Sequence, residues 1–239
     1  MAYTISAEAK VGSGCTFEHG VLVEAGAVLG DGVVLGQGAV VLEGTVLGEG
    51  VEVGPLSVLG KRPKAAASSR HPVSCEGPLT VGAGSVIGAN AVVYAGTTFE
   101  QDCFVGDLAG VREKCRFGRA ALIGRAVIVE DDVEVGAKTR VQSGAYITGA
   151  VRLGEAVFIG PRVITTNDRY PLSRGDKVLR GPTVENGAAI GAGACLLAGI
   201  TVGEMALVGM GAVVVTDVPP GRLFIGVPAR DAGEAKRTE

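Results

Sequence analysis

The sequence predicts an all-β chain, a solenoid of very short parallel strands, and three observations carry that prediction. Large apolar residues recur every six positions along most of the 239 residues. Glycine is abundant, at 39 residues, while aromatic residues make up only 4% of the chain and tryptophan is absent. Small and turn-forming residues hold fixed places between the apolar ones. A six-residue period does not fit an amphipathic helix, whose apolar residues recur at three and four. It fits one short strand plus one corner per hexad. Hydrophobic residues make up 47% of the chain, enough for a core, and a core without large rings goes with many short strands and tight turns.

The first run of apolar residues steps from Ile5 through Val11, Phe17, Val23, Leu29, Leu35, Val41, Leu47 and Val53 to Leu59. A second runs from Val81 to Ile159, passing through Phe99 and Phe117, and a third from Val184 to Val214. Together they cover thirty positions, every one Val, Ile, Leu or Phe. Three hexads close a triangular coil, so the chain should form about ten coils, stacked at about 4.8 Å per coil. Three residues after the apolar position stands Gly, Asn or Asp, as at Gly14, Gly26, Asn90 and Asp102. These types accept the positive φ that a tight corner requires. One residue further on, the side chain is small, as at Cys15, Ala27, Ser85, Thr97, Cys103, Cys115 and Ala194, which suits an inward site beside the aliphatic one. Cys195 falls one position later and is expected to face outward.

Two segments break the period, about 65–80 and 165–183. Both are polar, basic and contain Pro, and a solenoid can only extrude such segments as loops. Cys75 falls back in phase, which would shorten the first excursion. The role of the 61–78 segment, including His71, stays open at this point. The whole of 1–239 is read as one solenoid domain with a short tail from about residue 226.

Composition excludes several classes. A net charge of -3 and a pI near 5.6 give no support to a nucleic-acid surface. The first ten residues lack a signal-peptide pattern, and no apolar run is long enough to span a membrane. The five cysteines have neither metal-ligand spacing nor the density of a disulfide framework. A cytoplasmic protein without metal is the expectation.

The repeat resembles that of the left-handed β-helix hexapeptide transferases over nearly the whole chain. The left-handed sense is implied by the resemblance alone, because parallel crossovers are normally right-handed. The stretch from Gly181 to Arg230, with the run GPTVENGAAIGAGACLLAGITVG, the DVPPG turn and the closing GVPAR, is similar to the C-terminal half of acetyl-CoA-dependent members. In that family CoA lies in a groove between two subunits of a homotrimer. Pantetheine is thin and bonds through its amides, so close backbone approach needs small side chains. The resemblance implies that Gly191, Ala192, Gly209 and Met210 line the groove and that Arg230 reaches the phosphates. The family often carries Thr-Lys before the Asp of this turn. Here that site reads Val215-Thr216-Asp217, so Arg222 or Arg230 would have to serve instead.

The stretch QSGAYITGAVRLGEAVFIGPRVITTND resembles the N-acetyltransferases of nucleotide-linked amino sugars. By that resemblance Asn167 and Asp168 sit at the acceptor end of the cleft, with Asp168 orienting or deprotonating the amine. Unless a side chain does so, the CoA thiolate takes the proton. Gln142 is followed by Ser143 and Gly144, where the related strand usually carries Asn. Gln142, Tyr146, Glu113 and Arg125 are the further candidates for acceptor binding. The alternatives for Glu113 and Arg125 are a surface ion-pair network or a subunit contact, and for Tyr146 trimer-interface packing.

Two histidines, His19 and His71, are too few and too far apart for a three-histidine zinc site of the carbonic anhydrase type. The expected function is acyl-CoA-dependent N-acetylation of a small-molecule acceptor, an amino sugar that is nucleotide-linked or free. The alternatives are acylation of an amino acid-like amine (tetrahydrodipicolinate-type) or a hydroxyl, and a scaffold without catalysis.

Overall fold

The computed structural model describes residues 3–67, 73–170 and 179–235; His71 lies outside the described residues. Contacts divide the chain into two compact units, Met1–Ala120 and Ala121–Glu239. All described secondary structure is β, and no helix is long and apolar enough to cross a membrane.

In the first unit most strands are two residues long, and each pairs in parallel with the strand three places on. Thr4–Ile5 pairs with Leu22–Val23, Lys10–Val11 with Val28–Leu29, and Thr16–Phe17 with Val34–Leu35. Eighteen residues therefore make one turn. In each strand the second residue is the ladder residue and points inward: Leu35, Val41 and Leu59 are fully buried. Each such side chain contributes about 1.5–3 kcal/mol relative to exposure. The 18-residue register brings like residues onto one another, and Phe99 and Phe117 stack at 4.3 Å with ring planes 5° apart. At the open end Val11 is 41% exposed, and Tyr3 packs edge-on against Phe17 at 5.4 Å.

The corner three residues after each ladder position has positive φ, as the sequence predicts, at Gly14, Gly26, Asn90 and Asp102. The same conformation recurs at Leu56, Leu108 and Lys114 in this unit and at Ala156, Arg162 and Met205 in the second. Stacking above and below sets the conformation there, although a left-handed L-residue costs roughly 1–2 kcal/mol.

The first loop starts earlier than the spacing predicts. Val58 pairs with Val40 on one side and Val92 on the other, 34 residues on instead of 18. Sixteen residues are therefore extra. They leave after the strand Val58–Lys61, which bulges between Leu59 and Lys61 with Gly60 at φ 85°. The ladder resumes at Thr80–Val81. Cys75 lies in no strand and belongs to the excursion, although its phase suggests otherwise.

The second unit repeats the three-strand cycle. One face carries Ile128–Val129, Tyr146–Ile147, Ile164–Thr165, Cys195–Leu196 and Val213–Val214; we call it the Tyr146 face. The Arg152 face carries Glu134–Val135, Arg152–Leu153, Thr183–Val184 and Thr201–Val202. The Phe158 face carries Leu122–Ile123, Arg140–Val141, Phe158–Ile159, Ala189–Ile190, Leu207–Val208 and Arg222–Ile225. In the tail, Arg230–Glu234 returns antiparallel to Arg222–Ile225, with Ala229 buried.

The second loop starts after one more ladder position than the aliphatic spacing shows. Thr165, only 1% exposed, occupies that position. Ile164 pairs with Cys195, 31 residues on instead of 18, so thirteen residues are extra. They connect the Tyr146 face to the Arg152 face.

Candidate active site

The predicted site residues of the second unit fall into two groups, one at each edge of the Tyr146 face. The first group lies where the chain turns from the Phe158 face onto the Tyr146 face. Gly191 follows the ladder residue Ile190, and Gly209 follows Val208, one coil on. Gly211 N donates to the Ala192 carbonyl at 2.9 Å. Met210 is 82% exposed at this corner, and Gly209 packs against Ile225, whose strand partner is Arg230. Gly191, Ala192, Gly209, Met210 and Arg230 therefore form one exposed patch. Gln142 and Arg125 occupy the same edge on earlier coils, where Gly144 N donates to the Arg125 carbonyl at 2.9 Å.

The two basic candidates for a phosphate differ. Arg222 forms a forked pair with Asp231, with Nη2 to Oδ2 at 2.7 Å and Nε to Oδ2 at 3.1 Å. The Arg222 guanidinium, followed by the Gly233 N–H, holds the Asp231 carboxyl below the ordinary carboxylate range. Arg230 has no carboxylate partner among the described residues, and its guanidinium donates only to the Ala229 carbonyl at 3.0 Å. Asp217 accepts from Thr201 N at 2.8 Å, so its carboxylate braces the turn.

The glycine at 191 has a reason other than ligand approach. A Cβ there would lie 2.5 Å from Met210 N, closer than real Cβ atoms come. The same holds at Gly160, against Ala192 N at 2.7 Å. Glycine directly after the ladder residue therefore lets successive coils stack, and a patch of bare backbone is the by-product.

The second group lies where the chain leaves the Tyr146 face. Asn167 follows Thr165 by two residues, and its carbonyl accepts from Arg180 N at 3.0 Å. Asp168 Oδ1 accepts from Tyr170 N at 2.8 Å, an Asx turn that shapes the start of the loop. Arg169 donates to the Val215 carbonyl at 3.3 Å, tying its side chain to the C-terminal coils. Together Asn167, Asp168, Arg169, Tyr170, Leu179 and Arg180 overhang Ala198 and Gly199, enclosing a groove of about 340 Å³. The groove has one carboxylate, one amide and two guanidinium groups over a floor of small residues.

Beneath Asn167 stand Gly149, 18 residues earlier, and Asp131, 36 residues earlier. A Cβ on Gly149 would lie 3.2 Å from Asp131 Oδ1 and 3.4 Å from Asn167 Nδ2. The missing side chain thus leaves both the carboxylate and the amide facing the space above Gly149. Asp131 escapes notice in the sequence because Asp is ordinary at corners; subtracting two turns from Asn167 would have pointed to it. Tyr146 lies between the two edges, and its hydroxyl donates to Glu130 Oε1 at 3.2 Å.

Glu113, in the first unit, is only 2% exposed. Both its carboxylate oxygens are held by Arg112, at 2.7 and 3.2 Å. His19 is exposed at a corner. Among the described residues no group of His, Cys, Asp and Glu could hold a metal ion.

Comparison with known proteins agrees with this architecture. The family described as "Bacterial transferase hexapeptide (six repeats)" matches residues 26–61. The family described as "Hexapeptide repeat of succinyl-transferase" matches residues 78–111 and 183–216. Hexapeptide repeats therefore occupy these three segments of the chain. The second match covers Gly191, Ala192, Gly209 and Met210 of the patch and the floor of the groove, Ala198 and Gly199. The Bifunctional protein GlmU of Thermotoga sp. (strain RQ2) is 33% identical over 164 residues, 66% of this chain and 35% of that protein. That of Brevibacillus brevis is 34% identical over 171 residues, 65% of this chain and 35% of that protein. The chain thus spans about a third of the length of these relatives. Among solved structures, a perosamine N-acetyltransferase from Caulobacter crescentus in complex with CoA and GDP-perosamine is 27% identical. It covers 63% of this chain and 57% of its own, with a TM-score of 0.45.

Proposed function

We propose that this hexapeptide-repeat protein is an acyl-CoA-dependent acyltransferase that N-acetylates an amino sugar, free or nucleotide-linked. The observation that carries the reading is the groove of the second loop. It sets Asn167, Asp168, Arg169 and Arg180 over a stretch that matches the succinyl-transferase repeat. Polar groups on one wall suit a hydroxylated amine acceptor, and two guanidinium groups suit an acceptor that also carries phosphate. The bare backbone at Gly191, Ala192 and Gly209 suits the pantetheine arm, with Arg230 free to meet a phosphate and Met210 beside the thioester-bearing arm.

In the proposed reaction the acceptor amine attacks the thioester carbonyl. A C–N bond forms, the C–S bond breaks, and the thiolate leaves. The amine proton passes to Asp168 or to the departing thiolate. Asn167 holds the acceptor, Tyr146 contacts it from the Tyr146 face, and Gln142 contacts it from the opposite edge, supplied by a second copy. Arg125 serves the same end at the edge that carries Gln142. Glu113 would act through Arg112, which holds both its oxygens.

The donor-patch residues, with Gln142 and Arg125, lie at one edge of the Tyr146 face, and Asn167 and Asp168 lie at the other. They would meet when that edge of one copy lies against the other edge of a second, which is the reason we assign a homotrimer. Titration of acetyl-CoA into the purified chain tests the donor half. We expect saturable binding, weakened at least about tenfold by Arg230→Ala and by Met210→Asp. No binding to the wild-type chain would overturn the proposal in favour of a scaffold.

A further inference from the structure

Thr165 is a polar residue on an aliphatic ladder, buried to 1% exposure, at the point where the second loop departs. Elsewhere in this unit the N–H after a ladder residue donates to the ladder carbonyl one turn on. Glu130 N donates to Ile147 O, and Gln142 N to Ile159 O, both at 2.8 Å. Thr148 N breaks the rule: it donates to Thr165 Oγ1 at 2.8 Å. The same hydroxyl donates to the Tyr146 carbonyl at 3.3 Å. Tyr146 and Ile164 remain in register, whereas Ile147 and Thr165 do not pair. No N–H among the described residues donates to the Thr165 carbonyl. Toward the next coil the pairing of Thr165 with Leu196 is intact.

We propose that Thr165 is a positioning residue: its buried hydroxyl substitutes for the ladder carbonyl, so that the chain leaves the coil after Thr166, which still donates to the Leu196 carbonyl at 3.1 Å, with Asn167 over Gly149 and Asp131. A valine would fill the same volume, but the hydroxyl makes the exchange non-equivalent. Buried, that hydroxyl is tolerated because it is bonded on both sides. With an aliphatic residue the carbonyl at 165 would return to Thr148 N, as in the other coils, and Asn167 would be carried round with it. The coil gives up one regular ladder bond so that Asn167 can be aimed.

This inference rests on the reading of Asn167 and Asp168 as acceptor residues, and the experiment separates the two. Thr165→Val and Thr165→Ser are compared with the wild type. For Thr165→Val we expect a melting temperature at or above the wild-type value. We also expect acceptor KM to rise about tenfold or more, since misplacement of about 1 Å can cost that much, with acetyl-CoA KM unchanged. Thr165→Ser should restore acceptor KM. Independently of activity, the Arg180 amide, bonded to the Asn167 carbonyl, should exchange with solvent about tenfold faster in Thr165→Val. Wild-type exchange at Arg180 in that variant would overturn the inference. So would a fall in melting temperature with a matching loss in both substrates' kinetics, which marks a merely structural threonine. If the wild type turns over no acceptor, the proposed function fails, and the Arg180 exchange still decides the role of Thr165.

Discussion

The Thr45 hydroxyl is buried against the Cα of Gly60 and has no hydrogen-bond partner. Its counterparts elsewhere donate to a carbonyl fifteen residues on: Ser85 to Glu100 at 3.3 Å, Thr97 to Arg112 at 2.7 Å, Thr139 to Gly154 at 2.6 Å. For Thr45 that carbonyl belongs to Gly60, which sits in the bulge where the first loop leaves, at φ 85°. The bulge turns the carbonyl away. An orphaned buried hydroxyl costs about 1–3 kcal/mol.

Thr45→Val should therefore stabilise the protein by about 1 kcal/mol, since it removes the orphan and keeps the volume. Gly60→Ala should destabilise it, because the added Cβ would lie 2.1 Å from Thr45 Oγ1. Urea denaturation of the two variants checks both signs; destabilisation by Thr45→Val would show that the hydroxyl is satisfied in solution.

Ala156 holds an exposed corner at φ 52°. Ala156→Gly should raise stability by about 1 kcal/mol, the left-handed cost relieved less the glycine entropy. A lower melting temperature would show that stacking, not strain, dominates at that corner.

Gly191→Ala should lower stability before it says anything about cofactor, because the new Cβ meets Met210 N at 2.5 Å. Met210→Asp, at an 82% exposed side chain, should leave the melting temperature within about 1 °C, as most surface substitutions do, while weakening acetyl-CoA. Thermal melts with and without acetyl-CoA distinguish the two variants.

The Asp231 carboxyl is depressed by the Arg222 pair and the Gly233 N–H. A depressed folded pKa means that the contribution to hairpin stability is present above the ordinary carboxylate range and is lost as pH falls through the lowered value. The Gly233 amide bonds Asp231 Oδ1 at 2.8 Å, so its NMR shift reports the titration. Its midpoint should fall below the reference 3.8; one at or above it would contradict the pairing.

Much of the coil was readable from spacing. Ile5 to Leu59 and Val81 to Ile159 predict the inward ladder because a hexad period leaves a single residue per strand to fill the core. The places where reading failed share a cause. Thr165 is polar, so the aliphatic period misses the last ladder position before the second loop. Leu56 and Leu108 adopt left-handed corners that residue type does not announce, because neighbouring coils impose them. Gly191 reads as a cofactor contact, yet its missing Cβ faces the next coil. Asp131 becomes a candidate only when turns are subtracted from Asn167. Spacing describes the regular wall, and it stops being informative where the chain departs from it.

Acceptor-dependent thiol release from acetyl-CoA, measured with a panel of free and nucleotide-linked amino sugars, decides whether the chain is an amino-sugar N-acetyltransferase. Release is expected only when an amino sugar is supplied, with Asn167→Ala and Asp168→Ala each lowering kcat/KM for the acceptor by about 100-fold, the scale of a positioned acid–base group. Acetyl-CoA binding without thiol release from any amino sugar in the panel, or undiminished release in both variants, would contradict that assignment.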